Sequence, residues 1–289
     1  MKIYYALPAA AISAILLLSG CNTGDKNANQ GALVTGAANS EASSKSNGDD
    51  FKQAIDQYRE YVIQQCDAFV TETAKFTTAV KDGDIETAKS LYAPARMYYE
   101  RIEPIAEALG DLDPNIDARD GDVDSAEWRG FHKLEQALWE NNTTAGQEEI
   151  ADQLLSDAKL LRAKVETVDI DASLLVTGAV ELLNEVSTSK VTGEEERYSH
   201  TDLYDFAANV EGAKKIFELL EPQLKAKDSE LSKNISERFT ALEQELAPFK
   251  EGDGYVSYEK LQDQDVRKLS QNLDALAEPL SQMGTLLGV

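Results

Sequence analysis

Only two histidines occur in this chain, and both sit beside carboxylates. Gly130-Phe131-His132-Lys133-Leu134-Glu135 places an imidazole three positions before a carboxylate, so on a helix both side chains face one side and can reach one object. Glu194-Glu195-Glu196-Arg197-Tyr198-Ser199-His200 holds Glu196 and His200 four apart. Tyr99-Glu100-Arg101-Ile102-Glu103-Pro104 adds two carboxylates one turn apart, and the stretch from Asp111 to Asp124 supplies Asp111, Asp113, Asp117, Asp120, Asp122 and Asp124. Carboxylates and Glu/His pairs on facing helices are how bundle interiors build metal sites. Carboxylates with one or two imidazoles make a hard, oxygen-rich donor set suited to iron, manganese or calcium. Such carboxylates repel one another when no cation is present, so binding should depend on pH and should stabilise the fold.

Other chemistries fit the same residues less well. A calcium loop of the EF-hand type needs Asp at position 1 and Gly at position 6; Gly121 at position 6 puts Ile116 at position 1. The zincin pattern needs two histidines four apart around a glutamate, and none follows His132 at that spacing. No nucleophile-elbow glycine pattern is present.

The elements that must position these residues read as helices. Phe51, Ile55, Tyr58, Val62, Cys66, Phe69, Thr73, Phe76 and Val80 recur every three or four residues as one inward stripe. Asp82-Gly83-Asp84 ends that helix and Asp84 caps the next, which spans about 84–109 and should kink or break at Pro94 and Pro104. An Asp-rich connection over 110–124 leads to a helix of about 125–140 that carries His132. Further helices are predicted over about 147–168, 171–190, 201–226, 228–250 and 258–287. The last repeats Val266, Leu269, Leu273, Leu276, Leu280 and Met283 at the same period. No alternating β-branched run suggests a sheet. The fold class is all-α, about eight helices forming two four-helix bundles.

The amino-terminal residues read as an export signal. Lys2 precedes a short apolar run from Ala6 to Leu18, and Leu18-Ser19-Gly20-Cys21 has the form of a bacterial lipobox that lipidates Cys21. Residues 1–20 are thus a lipoprotein signal peptide, and 21–49, rich in Asn, Gly, Ala, Ser and Lys, a lipidated disordered tether. Residues 50–289 form the helical domain. Cys66 has no partner once Cys21 is acylated and is expected as a small buried filler. Without Lys2, 27 of the 28 basic side chains face 52 acidic ones, a formal charge of −25. That charge excludes nucleic acid as a ligand and leaves the membrane contact to the lipid anchor.

The strings Tyr-Tyr-Glu-Arg-Ile-Glu-Pro-Ile-Ala, Gly-Phe-His-Lys-Leu-Glu and Glu-Glu-Glu-Arg-Tyr-Ser-His-Thr-Asp-Leu, in that order, resemble the imelysin-like (M75) domain of EfeO-type iron-uptake lipoproteins. The resemblance runs from about residue 51 to the carboxyl terminus and implies two four-helix bundles with a G-x-H-x-x-E signature. It implies a non-enzymatic periplasmic lipoprotein that binds iron and delivers it to a membrane permease of the EfeUOB type, beside a haem-containing peroxidase-like component. The family's metal site would map onto Glu100, Glu103, Asp117, His132, Glu135 and Glu196, with His200 as an addition. Longer members carry an N-terminal cupredoxin domain; only the tether precedes the helices here, as in the short form called EfeM. Two other readings stay open: a metal-dependent binding protein for an acidic polysaccharide such as alginate, and an M75 metallopeptidase using Glu135.

Overall fold

A computed structural model describes the backbone of residues 38–289 apart from Ser189, and the side chains from Phe51 onward apart from those of Ala106 and Glu107. The signal peptide and Cys21 lie outside the described residues. One compact unit runs from Ser43 to Val289. The sequence predicts helix from about residue 51; α1 spans Ala38–Asp82, so its helical backbone begins within the stretch read as tether.

Among the described residues the elements are α1, α2 (Ile85–Glu100), a 3₁₀ turn (Glu103–Leu109), α3 (Leu112–Asp117), α4 (Phe131–Glu135) running into a π turn (Gln136–Glu140), α5 (Glu148–Lys164), α6 (Ala172–Thr188), a 3₁₀ turn (Lys190–Thr192), α7 (Asp202–Lys227), α8 (Ser229–Leu246) and α9 (Asp263–Leu287). The fold is all-α. A two-residue hairpin, β1 (Lys250–Glu251) with β2 (Gly254–Tyr255), stands where the sequence predicts no strand. It is too short to show a period of two, and Gly252 at φ 61 makes its turn.

The stripe on α1 faces the core as its spacing requires: Phe51, Tyr58, Val62, Cys66, Phe69, Phe76 and Val80 are all buried. Burial pushes the Cys66 thiol up to about 12, so it stays an inert filler. Phe69 and Phe76 meet Tyr92 and Tyr99 of α2 and Phe131 of α4 at ring separations of 5.5–5.8 Å. α5 closes this first bundle against α3 and α4. The second bundle is α6–α9, and α2 packing on α7 joins the two.

Three departures from the predicted elements shape the site. Asp84 caps α2 through Thr87 N–H at 3.1 Å, but Pro94 leaves the helix unbroken, and only the segment before Pro104 ends it. Pro104 lacks the N–H a continuing helix needs, so the chain turns 3₁₀ from Glu103. Gly178 of α6 admits this turn: a Cβ there would lie 1.8 Å from Pro104 O. The Asp-rich connection contains the short helix α3. Finally, the helix predicted over 125–140 starts only at Phe131, because Gly130 at φ 91 breaks it.

Candidate metal centre

Gly130 is the residue that lets His132 reach the interior. A Cβ at Gly130 would stand 2.3 Å from Ile116 O, so only glycine brings the start of α4 against the end of α3. This close approach sets His132 beside Asp117, the last residue of α3. The π turn after Glu135 lets Asn141 N–H donate to Gln136 O at 3.1 Å, a widening of a kind found near functional sites.

Among the described residues the seam between the bundles collects eight carboxyl groups: Glu100, Glu103, Asp117, Glu135, Glu195, Glu196, Asp202 and Asp205. Six of them are buried, and Glu103 and Asp117 are partly so. α2 and its 3₁₀ extension supply Glu100 and Glu103; α3 and α4 supply Asp117 and Glu135. The loop before α7 supplies Glu195 and Glu196, and α7 itself Asp202 and Asp205. Two buried cations and one imidazole stand against them. Arg96, with no exposed side-chain surface, donates to Glu100 at 2.5 Å and to Asp117, and lies 2.6 Å from Glu196 and 3.2 Å from Asp205. Lys190 donates to Glu100 at 3.0 Å and to Glu103 at 2.8 Å.

His132 uses its two nitrogens differently. Nδ1 is 3.0 Å from Glu135 Oε2, while Nε2 is buried, has no hydrogen-bond partner and points between Asp117 Oδ1 at 3.6 Å and Glu195 Oε1 at 3.7 Å. Glu135 is fully committed, since its Oε1 accepts the Tyr198 and Ser199 backbone N–H groups at 2.9 and 2.7 Å. Glu135 is therefore an orienting group for the ring, the carboxylate–histidine arrangement behind many metal ligands. Two trios, Asp117–His132–Glu195 and His132–Glu135–Glu196, each bring three ligand atoms within 4.8 Å of one another. The first is the more suitable. Asp117 and Glu195 line a cavity of about 420 Å³, with Glu103, Asp113, Arg119, Asp122 and Glu185 along its walls. The second trio is sealed: Glu196 has no exposed surface and faces Arg96.

Electrostatics reflect the excess of carboxylates. Burial and Arg96 depress His132, but contacts with Glu135 and Glu195 and the Asp117 charge outweigh them and lift it to about 9. Burial pushes Asp117 up to about 6 despite Arg96, and Asp202 to about 6 despite its backbone hydrogen bonds. Burial also drives Glu103, Glu196 and Asp205 well above the usual carboxylate range. Burial pushes Glu100 and Glu195 up as well, but Lys190 foremost, with Arg96, holds Glu100 low, and Lys190, His132 and Arg96 hold Glu195 low. Glu135 stays low against its burial through His132 and the loop N–H groups. Protons thus stand in for missing positive charge, and a metal ion could replace them.

Of the sequence-predicted residues, Glu100, Glu103, Asp117, His132, Glu135 and Glu196 meet at this seam. His200 does not. It sits at φ 56 with its side chain 37% exposed, 3.9 Å from Glu259, because the left-handed turn that ends the loop aims it outward. Residues the sequence reading missed are Arg96, Lys190, Glu195, Asp202, Asp205 and Asn209. Arg96 was readable as the residue four before Glu100, and Asp205 with Asn209 as polar positions on the apolar face of α7. Lys190 gave no signal, since a lone lysine after a helix is ordinarily a surface residue.

Comparison with known proteins identifies the family. The imelysin family (peptidase M75) matches residues 54–283. A protein of Staphylococcus haemolyticus (strain JCSC1435) named "Efem/EfeO family lipoprotein" is 45% identical over 291 residues, covering 97% of this chain and 98% of that protein. One of the same name from Staphylococcus aureus (strain NCTC 8325 / PS 47) is 48% identical over 243 residues, 82% of this chain and 86% of that protein. Two bundles, a Gly130-x-His132-x-x-Glu135 signature at their seam and these similarities lead to one assignment: the chain belongs to the imelysin family, among the EfeM/EfeO lipoproteins.

Proposed function

We propose that this protein is a membrane-anchored, extracytoplasmic carrier that captures iron, or a similarly hard cation, and hands it to a permease in the membrane. The observation that carries this reading is His132 Nε2, buried without a hydrogen bond and aimed between Asp117 and Glu195, the two carboxylates that line an acidic cavity. A nitrogen with two carboxylate oxygens suits ferrous, ferric or manganous ions. Glu135 turns Nε2 toward the incoming ion, Arg96 holds Asp117, Glu100 and Glu196 in place, and the carboxylates along the cavity attract cations from solvent.

Anchoring is supported by the lipobox at Cys21 and by the relatives' printed name. Among the described residues no helix is long and apolar enough to cross a membrane. A carrier without catalysis is supported by Glu135, whose oxygens are taken by His132 and by the Tyr198 and Ser199 N–H groups, so the carboxylate that the peptidase reading would use as base is already committed.

The test is calorimetric titration of the chelator-stripped protein with Fe²⁺ under anaerobic conditions and with Mn²⁺, beside elemental analysis of protein purified without chelators. The expected result is about one tightly bound ion per chain, lost in His132→Ala with helical content intact. Equal affinity in wild type and His132→Ala would overturn the site.

A further inference from the structure

Lys190 is a buried ammonium held among three carboxylates. Its side chain is 1% exposed, and Nζ lies 3.0 Å from Glu100, 2.8 Å from Glu103 and 3.9 Å from Glu195 Oε1. That last oxygen is also the one 3.7 Å from His132 Nε2. The ammonium and the His132 trio therefore share Glu195. Glu103 and Glu195 both line the cavity, so an ion entering there meets the carboxylates that Lys190 neutralises.

Arg96 and Lys190 differ in how firmly they are held. Arg96 issues from the middle of α2, with its guanidinium 5.6 Å from the Phe131 ring centroid and 5.9 Å from that of Tyr92. Lys190 sits on a three-residue 3₁₀ turn after α6, on a flexible stem with a point charge. An ammonium contributes one charge and three directional donors; a divalent or trivalent ion offers greater charge to the same oxygens. Asn209 Nδ2 donates to Glu100 at 2.9 Å and to Glu103 at 2.8 Å, keeping the two carboxylates together when the ammonium leaves.

We propose that Lys190 is a tethered stand-in cation: it fills the Glu100–Glu103–Glu195 position in the metal-free protein, is displaced when a metal ion enters, and returns to help expel that ion during hand-over. The proposal rests on the carrier reading and adds an exchange device to it. Binding then tolerates only moderate affinity, as a carrier that must release its cargo requires, because each loading event competes with an internal charge.

The test compares full-length wild type with Lys190→Met and Lys190→Arg in titrations with Mn²⁺ and, anaerobically, Fe²⁺. Lys190→Met, which keeps the stem and removes the charge, is expected to bind about tenfold or more tightly and to release the ion correspondingly more slowly. Lys190→Arg is expected to bind no tighter than wild type. Affinity unchanged or weakened in Lys190→Met, with wild-type binding intact, overturns the stand-in role while leaving the carrier reading standing. A wild type that binds neither ion overturns both. Should Lys190→Met fail to fold, amine acylation of wild type read by peptide mass spectrometry decides the matter. Lys190 should be protected without metal and modified at least several-fold faster with it; equal protection in both states overturns the proposal.

Discussion

Glu135 Oε2 accepts from His132 Nδ1 at 3.0 Å, and this one contact decides which imidazole nitrogen faces Asp117 and Glu195. Because the other oxygen of Glu135 takes the Tyr198 and Ser199 N–H groups, the same carboxylate ties α4 to the loop that delivers Glu195. Gly130-x-His132-x-x-Glu135 thus works as a unit: Gly130 for approach, His132 as the proposed ligand, Glu135 as the brace between ring and loop.

Glu135→Gln forces a choice. If the amide oxygen stays on the loop N–H groups, the NH₂ group meets Nδ1 and drives the proton to Nε2, the nitrogen that must be bare to bind metal. Affinity for Mn²⁺ should fall about 10- to 100-fold, with a far smaller change in thermal unfolding. Calorimetry and circular dichroism on the same preparation check both halves.

pH acts in opposite directions on stability and on binding. His132, raised from 6.5 to about 9, stabilises the metal-free fold fully below pH 6.5, and that contribution is lost as pH rises through 9. Asp117 and Asp202, raised from 3.8 to about 6, favour the fold while protonated and lose that contribution as pH climbs through 6. Glu100, Glu135 and Glu195, lowered from 4.5, contribute above that pH and fail below it. The metal-free protein should therefore melt highest near about pH 5 and progressively lower toward pH 9. Cation affinity should rise over the same range, as Asp117 ionises and His132 sheds the Nε2 proton, so that saturating Mn²⁺ flattens the melting profile. Thermal scans with and without Mn²⁺ across that range check the signs.

Arg96→Met leaves Glu100, Asp117, Glu196 and Asp205 without their shared partner. Removing one side of a buried ion pair costs about 3–5 kcal/mol. The loss should be greater at pH 8 than at pH 5, where the carboxyls with raised values can neutralise themselves by taking up protons. Urea unfolding at the two pH values measures it.

Gly130→Ala puts a methyl carbon 2.3 Å from Ile116 O at a φ of 91 that alanine rarely adopts. Overpacking of this kind costs about 1–3 kcal/mol, and the shift of α4 should weaken Mn²⁺ binding beyond what the stability loss explains. His200→Ala, by contrast, should leave affinity within about twofold of wild type, since the ring faces Glu259 outside the cluster. Parallel titrations of the two variants give the contrast.

The long helices were legible in the chain itself, because burial at a period of 3.6 is a local property. The stripe from Phe51 to Val80 and the cap at Asp84 both stand as their spacing requires. The short elements were not legible. α3, the π turn and the hairpin are set by what packs on them: Ile116 against Gly130, Tyr204 against Gly254.

At the site, residue types and spacing pointed to His132 with Glu135, Glu100 with Glu103, Glu196 with His200 and the Asp111–Asp124 stretch, and the family resemblance picked out Asp117 among those aspartates, since such patterns are visible one segment at a time. The division of labour among them was decided only by the tertiary structure. Glu135 braces while Glu195 faces the ring, His200 turns away, and Arg96 and Lys190 sit as cations inside an acidic pocket. Charge interactions fall with distance in space, not with separation along the chain, so Lys190 and Glu100, ninety positions apart, could be paired only by the fold.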